Sequence, residues 1–287
     1  MTANTLPTLY LSHGSPMTAL EPREAGAFMQ RLGPAIDAAF GRPRAILAVS
    51  AHSLARQPVL LAGARHEAVY DFGGFPDELY TLRYDAPGAP ELAHRVSHLL
   101  AQAGMPAQQL DQGGLDHGIW TPLRYAYPQA DVPVLPLAFV PDWSPAQLYA
   151  FGQALAPLAD EGVLVVGSGS LTHNLRMVFA GQRPEVDAPE IPQSAAFREW
   201  VLQRSAAGDV PALLAYRTQA PHAVLMHPTD EHWLPWYPAM GAAGGSSVAN
   251  TQAVRIHASL TFGCLAMDAY AFGAQAGKLA VALGTGA

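Results

Sequence analysis

The sequence has one cysteine, Cys264, and charged residues fill only 14% of its 287 positions. A lone thiol excludes an internal disulfide and fits a reducing, cytoplasmic setting. Positive charge is the scarcer sign, with 16 Lys and Arg against 23 Asp and Glu for a formal net charge of −7. No basic run or stripe is present that could follow a phosphate backbone, so nucleic acid is not an expected partner. Long apolar runs are missing too: Ile46–Val49 and Val163–Val166 are strand-sized, far short of the about 18 residues that a membrane span needs. Met1–Pro7 lacks the basic and apolar regions of a secretory leader. Nucleotide and nucleophile signatures fail as well. There is no Gly-x-x-x-x-Gly-Lys-Ser/Thr phosphate loop, Gly167-Ser168-Gly169-Ser170 lacks the Gly-x-Gly-x-x-Gly spacing, and Gly14-Ser15-Pro16 lacks the glycines that flank a nucleophilic serine. Ser15 and Ser168 are therefore read as turn-shaping residues.

What is present is a chain that is 50% hydrophobic, with 25 Pro and 26 Gly, which means a sizeable core with much loop. Short runs of Val, Ile and Leu bounded by Gly, Pro or Ser predict strands at Leu9–Leu11, Ala45–Ser50, Pro58–Ala62, Val132–Phe139, Val163–Gly167 and Ala253–Phe262. Helical spacing is found between them at Pro22–Leu32, Glu91–Ala103, Ser144–Ala159, Ser194–Ala206 and Val210–Arg217, with Ser144 before Pro145 as a helix cap. The alternation predicts an α/β fold: a single domain, residues 1–268, with a central mixed or mostly parallel sheet flanked by helices. From Ala269 the composition turns to Ala and Gly, and 269–287 reads as a tail.

Eleven histidines is a high count for so little charge. His13 follows the strand ending at Ser12, His52 the strand ending near Ser50, and His173 the strand ending near Gly167. Open α/β sheets bind ligands beyond the carboxyl ends of their strands, so these three can converge despite their separation in sequence. Two further clusters, Asp116-His117-Gly118 and His227-Pro228-Thr229-Asp230-Glu231-His232, sit in loops or at helix starts. A lone histidine at a strand end is more often a hydrogen-bonded loop residue than a ligand; three at equivalent positions outweigh that reading. His66, His94, His98, His222 and His257 are read as structural or surface residues, and His227 is left unassigned. Neutral imidazoles with a carboxylate suit iron(II) or zinc, and a histidine that does not bind the metal can transfer protons near neutral pH.

The series His13-Gly14-Ser15-Pro16-Met17, Ser50-Ala51-His52, Asp71-Phe72-Gly73-Gly74-Phe75-Pro76, Leu79-Tyr80, Tyr84-Asp85-Ala86-Pro87-Gly88, Asp116-His117-Gly118-Ile119-Trp120, Gly167-Ser168-Gly169, His173-Asn174-Leu175-Arg176 and Pro228-Thr229-Asp230-Glu231-His232-Trp233-Leu234-Pro235 is more specific than any of its parts. In this order it resembles the class III extradiol ring-cleavage dioxygenases, in the branch of DOPA 4,5-dioxygenase-like proteins, from about Leu9 to Phe262. The resemblance implies a single non-haem metal, Fe(II) for activity with Zn(II) able to occupy the same site, and cleavage of a catechol beside its hydroxyls with O2. It implies His13, His52 and His232 as metal ligands, His173 as a fourth ligand or as the acid/base beside the metal, and His117 in the substrate pocket. Glu231 stands as the alternative ligand, because more distant members use a glutamate. Ser53 departs from the aromatic residue that often follows Ser-Ala-His, and Phe179–Val224 has little that aligns. The competing readings are a zinc hydrolase on the same ligands, with Glu231 or His173 activating water, and a non-catalytic binding protein that keeps the fold.

Overall fold

The computed structural model describes residues 5–244 and 251–285. Among these the strands are β1 (Thr8–Ser12), β2 (Ala45–Ser50), β3 (Val59–Leu61), β4 (Arg65–His66), β5 (Ala86–Pro87), β6 (Gln108–Leu110), β7 (Val134–Ala138), β8 (Val163–Gly169), β9 (Ala253–His257), β10 (Leu260–Thr261), β11 (Leu265–Ala266) and β12 (Ala269–Phe272). One sheet takes eight of them in the order β6-β3-β7-β2-β8-β1-β12-β9. Its centre, β7-β2-β8-β1, is parallel. The flanks are mixed: β3 runs antiparallel to β7 and parallel to β6, while β12 is antiparallel to both β1 and β9.

The unbroken apolar runs of β2 and β8 are the reason this sheet is buried on both faces. Leu47, Val49 and Val165 enter one core with Leu148, Phe151 and Trp236, whereas Ile46, Ala48, Leu164 and Val166 enter a second with Phe28, Ile36 and Trp120. Each such Val, Leu or Ile contributes about 1.5–3 kcal/mol by leaving water. Helices therefore cover both faces. The helix Arg23–Phe40 runs past the expected end at Leu32 and through Pro34, because Phe28, Met29, Leu32, Ile36 and Phe40 keep one buried stripe. Pro145–Ala154 begins as expected at Ser144, whose hydroxyl accepts from the Gln147 N–H at 3.3 Å. Pro157 then starts a separate turn of helix, Pro157–Asp160, which divides the longer helix expected to Ala159.

The expectation for the C-terminal segment changes, and one helix was not foreseen. The segment from Ala269, read as a tail, instead carries β12 inside the main sheet and the helix Ala276–Leu283 against it; only residues 286 and 287 lie outside the described ones. Tyr270, Phe272, Leu279 and Leu283 are its buried anchors, and alanines fill the remaining close contacts. The helix Trp236–Gly244 had no polar face to betray it, because nearly every residue in it is buried. No helix among the described residues is long and apolar enough to cross a membrane.

Candidate metal centre

The sheet order brings the predicted histidines together. β8 lies between β2 and β1 with all three parallel, so their carboxyl ends are neighbours. His13 follows β1 directly, His52 lies two residues beyond β2, and His173 lies four beyond β8. His232 comes from a turn drawn across the end of β8: its carbonyl accepts from the Ser170 N–H at 3.0 Å and from the Tyr10 hydroxyl at 2.8 Å. A side chain at Gly169 would strike that carbonyl, its Cβ only 2.0 Å away, so glycine is what lets the turn pass. His117 opens the helix His117–Ala126. Ring centroids of His13, His52 and His232 lie 4.9–5.4 Å apart, and His117 sits 4.0 Å from His52.

Hydrogen bonds at Nδ1 set the tautomers of His13, His232 and His117. The single Ser168 hydroxyl proton goes to the Gly118 carbonyl, which can only accept, so the 3.0 Å contact between Ser168 Oγ and His13 Nδ1 requires an Nδ1–H on His13. Its Nε2 then carries a lone pair, and it faces His52 Nε2 at 3.1 Å. His52 Nδ1 faces Asp71 Oδ2 at 3.5 Å, and His232 Nδ1 donates to Glu231 Oε1 at 3.2 Å. His117 Nδ1 donates to Asp71 Oδ2 at 3.0 Å. Histidines that ligate metals are held in this way, with the second nitrogen on a carboxylate or another acceptor. Asp116, buried at the helix start, accepts from the Ser50 and Ser53 hydroxyls at 2.6 Å each and ties the His52 turn to the His117 helix.

Burial dominates the electrostatics of His13, His52, His173 and His232 and disfavours their charged forms. It pushes His13 well below the usual histidine range, with His52 next in effect, and brings His52 and His173 down to about 3. His232 is lowered by the same cause, although Glu231 opposes it. The bond from His232 holds the Glu231 carboxyl at about 2. Burial pushes Asp71 up, but its bonds to His117 outweigh that and leave it below the ordinary carboxylate value.

A metal fits this set. Two nitrogens about 2.1 Å from one ion and roughly 90–110° apart lie about 3.0–3.4 Å from each other, and the His13–His52 separation of 3.1 Å falls in that interval. One ligand atom from each of His13, His52 and His232 can be chosen so that all lie within 4.8 Å of one another. His173 stands apart from that trio. Its ring stacks on His232 at 3.5 Å and 12°, and it groups with His232 and Glu231 instead. Because an imidazole lone pair lies in the ring plane, two rings stacked face to face do not aim at one point.

Residues 7–267 match the family model described as the catalytic LigB subunit of aromatic ring-opening dioxygenase. The chain belongs to this family. It is 39% identical over 267 residues to a 4,5-DOPA dioxygenase extradiol of Beta vulgaris, an alignment covering 92% of this chain and 96% of that one. To the protein of the same name from Escherichia coli K12 it is 36% identical, covering 85% of this chain and 88% of that one. The crystal structure of an uncharacterized protein from Escherichia coli K12 superposes with a TM-score of 0.71 at 29% identity, covering 93% of this chain and all of that one. Family membership makes the chain an aromatic ring-opening dioxygenase with a metal-dependent site.

The other histidines divide simply. His94 and His98 lie exposed on the helix Pro90–Gln102, and His222 is an exposed residue with φ +58°. His66 is buried against the Gly113 carbonyl, and His257 stacks on Phe28. His227 is fully buried, donates through Nε2 to the Leu171 carbonyl at 2.8 Å and lies among Phe197, Tyr216 and Trp233. Sequence reasoning gave no role to Asp71 or Asp116 and read Ser168 only as shaping a turn. Asp71 and Asp116 lie in the quoted motifs, and that position was their only signal.

Proposed function

We propose that the protein is an extradiol dioxygenase acting on a DOPA-like or other catechol, with a divalent metal, Fe(II) for activity, held by His13, His52 and His232. The observation that carries this reading is the surroundings of Nδ1: those of His13 and His232 donate to Ser168 and Glu231, and the Asp71 carboxylate stands 3.5 Å from that of His52, which leaves Nε2 as the metal-facing nitrogen. When bound, such an ion acidifies a coordinated hydroxyl and makes O2 reactive toward the ring beside it. Zn(II) suits the same nitrogens and would fill the site without supplying the redox chemistry.

In this reading Glu231 orients His232 through its 3.2 Å bond and is not itself a ligand. His173, stacked on His232 rather than converging with it, is the acid/base: a neutral imidazole that can take a proton from the diol and return it when the ring opens. His117, 4.0 Å from His52, is a second proton acceptor, with Nδ1 engaged by Asp71 and Nε2 turned away from that bond. Phe72 stands edge-on to His117 at 5.7 Å, with Phe75 and Tyr80 beside it; these half-buried rings form a wall suited to a flat aromatic substrate. A cytoplasmic setting fits the single buried thiol, Cys264.

The test is anaerobic reconstitution with Fe(II), followed by oxygen uptake and visible absorbance with DOPA and simple catechols. The expected result is consumption of one O2 per catechol and a yellow ring-opened product. If no catechol consumes O2 in the iron-loaded protein, the reading fails; hydrolysis of esters or amides under argon by the zinc-loaded protein would put a hydrolase in its place.

A further inference from the structure

One carboxylate touches two of the clustered histidines, and it comes from a loop, not from the sheet. Asp71 Oδ1 accepts the backbone N–H of His117 at 2.9 Å, and Oδ2 accepts the Nδ1–H of the same residue at 3.0 Å. Two bonds from one carboxylate to one residue fix both where the ring is and how it is turned. Oδ2 also faces His52 Nδ1 at 3.5 Å, so both rings are favoured with the proton on Nδ1. The loop that carries Asp71 is itself pinned. The Tyr70 hydroxyl donates to the Leu82 carbonyl at 2.6 Å, and Phe72 packs against Tyr70, Tyr80 and Trp120.

We propose that Asp71 is a positioning residue that locks His117 in the tautomer with a bare Nε2, the nitrogen that accepts a proton from an ortho-dihydroxy aromatic substrate. The substrate in that statement rests on the dioxygenase reading; the tautomer does not. An ionised carboxylate can only accept, so the proton between Asp71 and His117 must belong to Nδ1. Nε2 is then unprotonated whenever the ring is neutral.

A purely structural role for Asp71 is a helix cap, since its bond to the His117 N–H serves the first turn of His117–Ala126. Asparagine caps as well as aspartate and is nearly its shape, so Asp71→Asn separates the two roles. With its oxygen kept on the backbone N–H, the amide presents an NH2 to His117 Nδ1 and forces the proton to Nε2. Turned the other way, it sets a donor against the backbone N–H and loses the cap. In that turned arrangement the oxygen accepts the Nδ1–H and keeps the tautomer, so the first arrangement spoils the proton acceptor, the second spoils only the cap, and neither removes a metal ligand.

The experiment reads the tautomer directly, by two-bond nitrogen–proton correlation on 15N-histidine protein loaded with diamagnetic zinc, with His117→Gln assigning the signal. Kinetics of the iron-loaded enzyme are measured in parallel. The wild type is expected to carry the His117 proton on Nδ1 and the Asp71→Asn variant on Nε2. In the variant kcat should fall about 100-fold or more, with KM within a few-fold and metal content unchanged. An Nε2 proton in the wild type overturns the proposal even if the variant does not fold. So does an Asp71→Asn protein with both the wild-type tautomer and the wild-type melting temperature, because an amide turned to keep that tautomer would have lost the cap. If the wild type turns over no catechol, the dioxygenase reading fails, and the tautomer measurement still decides the role of Asp71.

Discussion

Replacing Ser168 by alanine removes one oxygen atom from a fully buried position on β8, where the hydroxyl donates to Gly118 and accepts the Nδ1–H of His13 at 3.0 Å. The two metallation states respond differently. Without metal, His13 can move its proton to Nε2 and donate to His52 Nε2, 3.1 Å away, so the loss is partly relieved. With metal bound, Nε2 must stay bare, and the Nδ1–H is buried with no acceptor, at a cost of about 1–3 kcal/mol. That cost falls mainly on the metal-bound state and predicts a 10–100-fold weaker metal affinity, equivalent to about 1.4–2.8 kcal/mol. Titration against a chelator of fixed affinity measures it, and thermal melts with and without metal give the second reading. The variant should lose more stability with metal than without. A folded Ser168→Ala protein with wild-type affinity would refute the assignment of the His13 proton, and with it the argument that His13 Nε2 is a ligand.

Three further outcomes are expected. His13→Ala should lose bound metal, whereas His173→Ala should keep it and lose kcat by about 100-fold; metal analysis beside turnover separates the two, and loss of metal from the His173 variant would make it a ligand. Gly118→Ala would ordinarily favour a helix by about 0.5–1 kcal/mol, but its Cβ would lie 2.6 Å from Ser50 Oγ and 3.0 Å from His13 Nδ1. The crowding should win and destabilise by about 1–3 kcal/mol, and a denaturant midpoint at or above wild type would show that the site yields. Burial, opposed by the bond to the Leu171 carbonyl, lowers His227 to about 4 from 6.5. It therefore takes up a proton on unfolding between those pH values: stability is kept above about pH 6.5 and falls as pH drops to about 4, by up to about 3 kcal/mol. In His227→Gln the loss over that interval should be smaller by that amount, and an unchanged slope contradicts it.

The core strands and the strand-end histidines were legible because each rests on a local signal. Continuous runs such as Ala45–Ser50 mark strands covered on both faces, and a histidine just past such a run marks the ligand-binding edge. The long segment beginning at Phe179, which matches few of the quoted motifs, folds into the helix Pro192–Ala206 and three short ones up to Met226, after which His227 takes its buried place. β12 was hidden because Ala269-Tyr270-Ala271-Phe272 mixes small and large residues that make sense only between β1 and β9. The anchors of the Nδ1 protons were hidden for another reason. A serine after a glycine or an aspartate before a phenylalanine has no spacing rule, and Ser168, expected only to shape a turn, acquires its role from the approach of His13 and Gly118.

The pairing of Thr8–Leu11 with Ala269–Phe272 joins the two extremes of the described chain. Such a contact closes a very long loop, and contacts of that kind form late and slowly. β2, β7 and β8 all precede β12 in the chain, so β1, which His13 follows, keeps one edge open until the strand Ala269–Phe272 has been made. The seat of the first histidine therefore depends on a strand made far later in the chain. A chain that stops short of Ala269 would expose the β1 edge and have no firm seat for its first histidine.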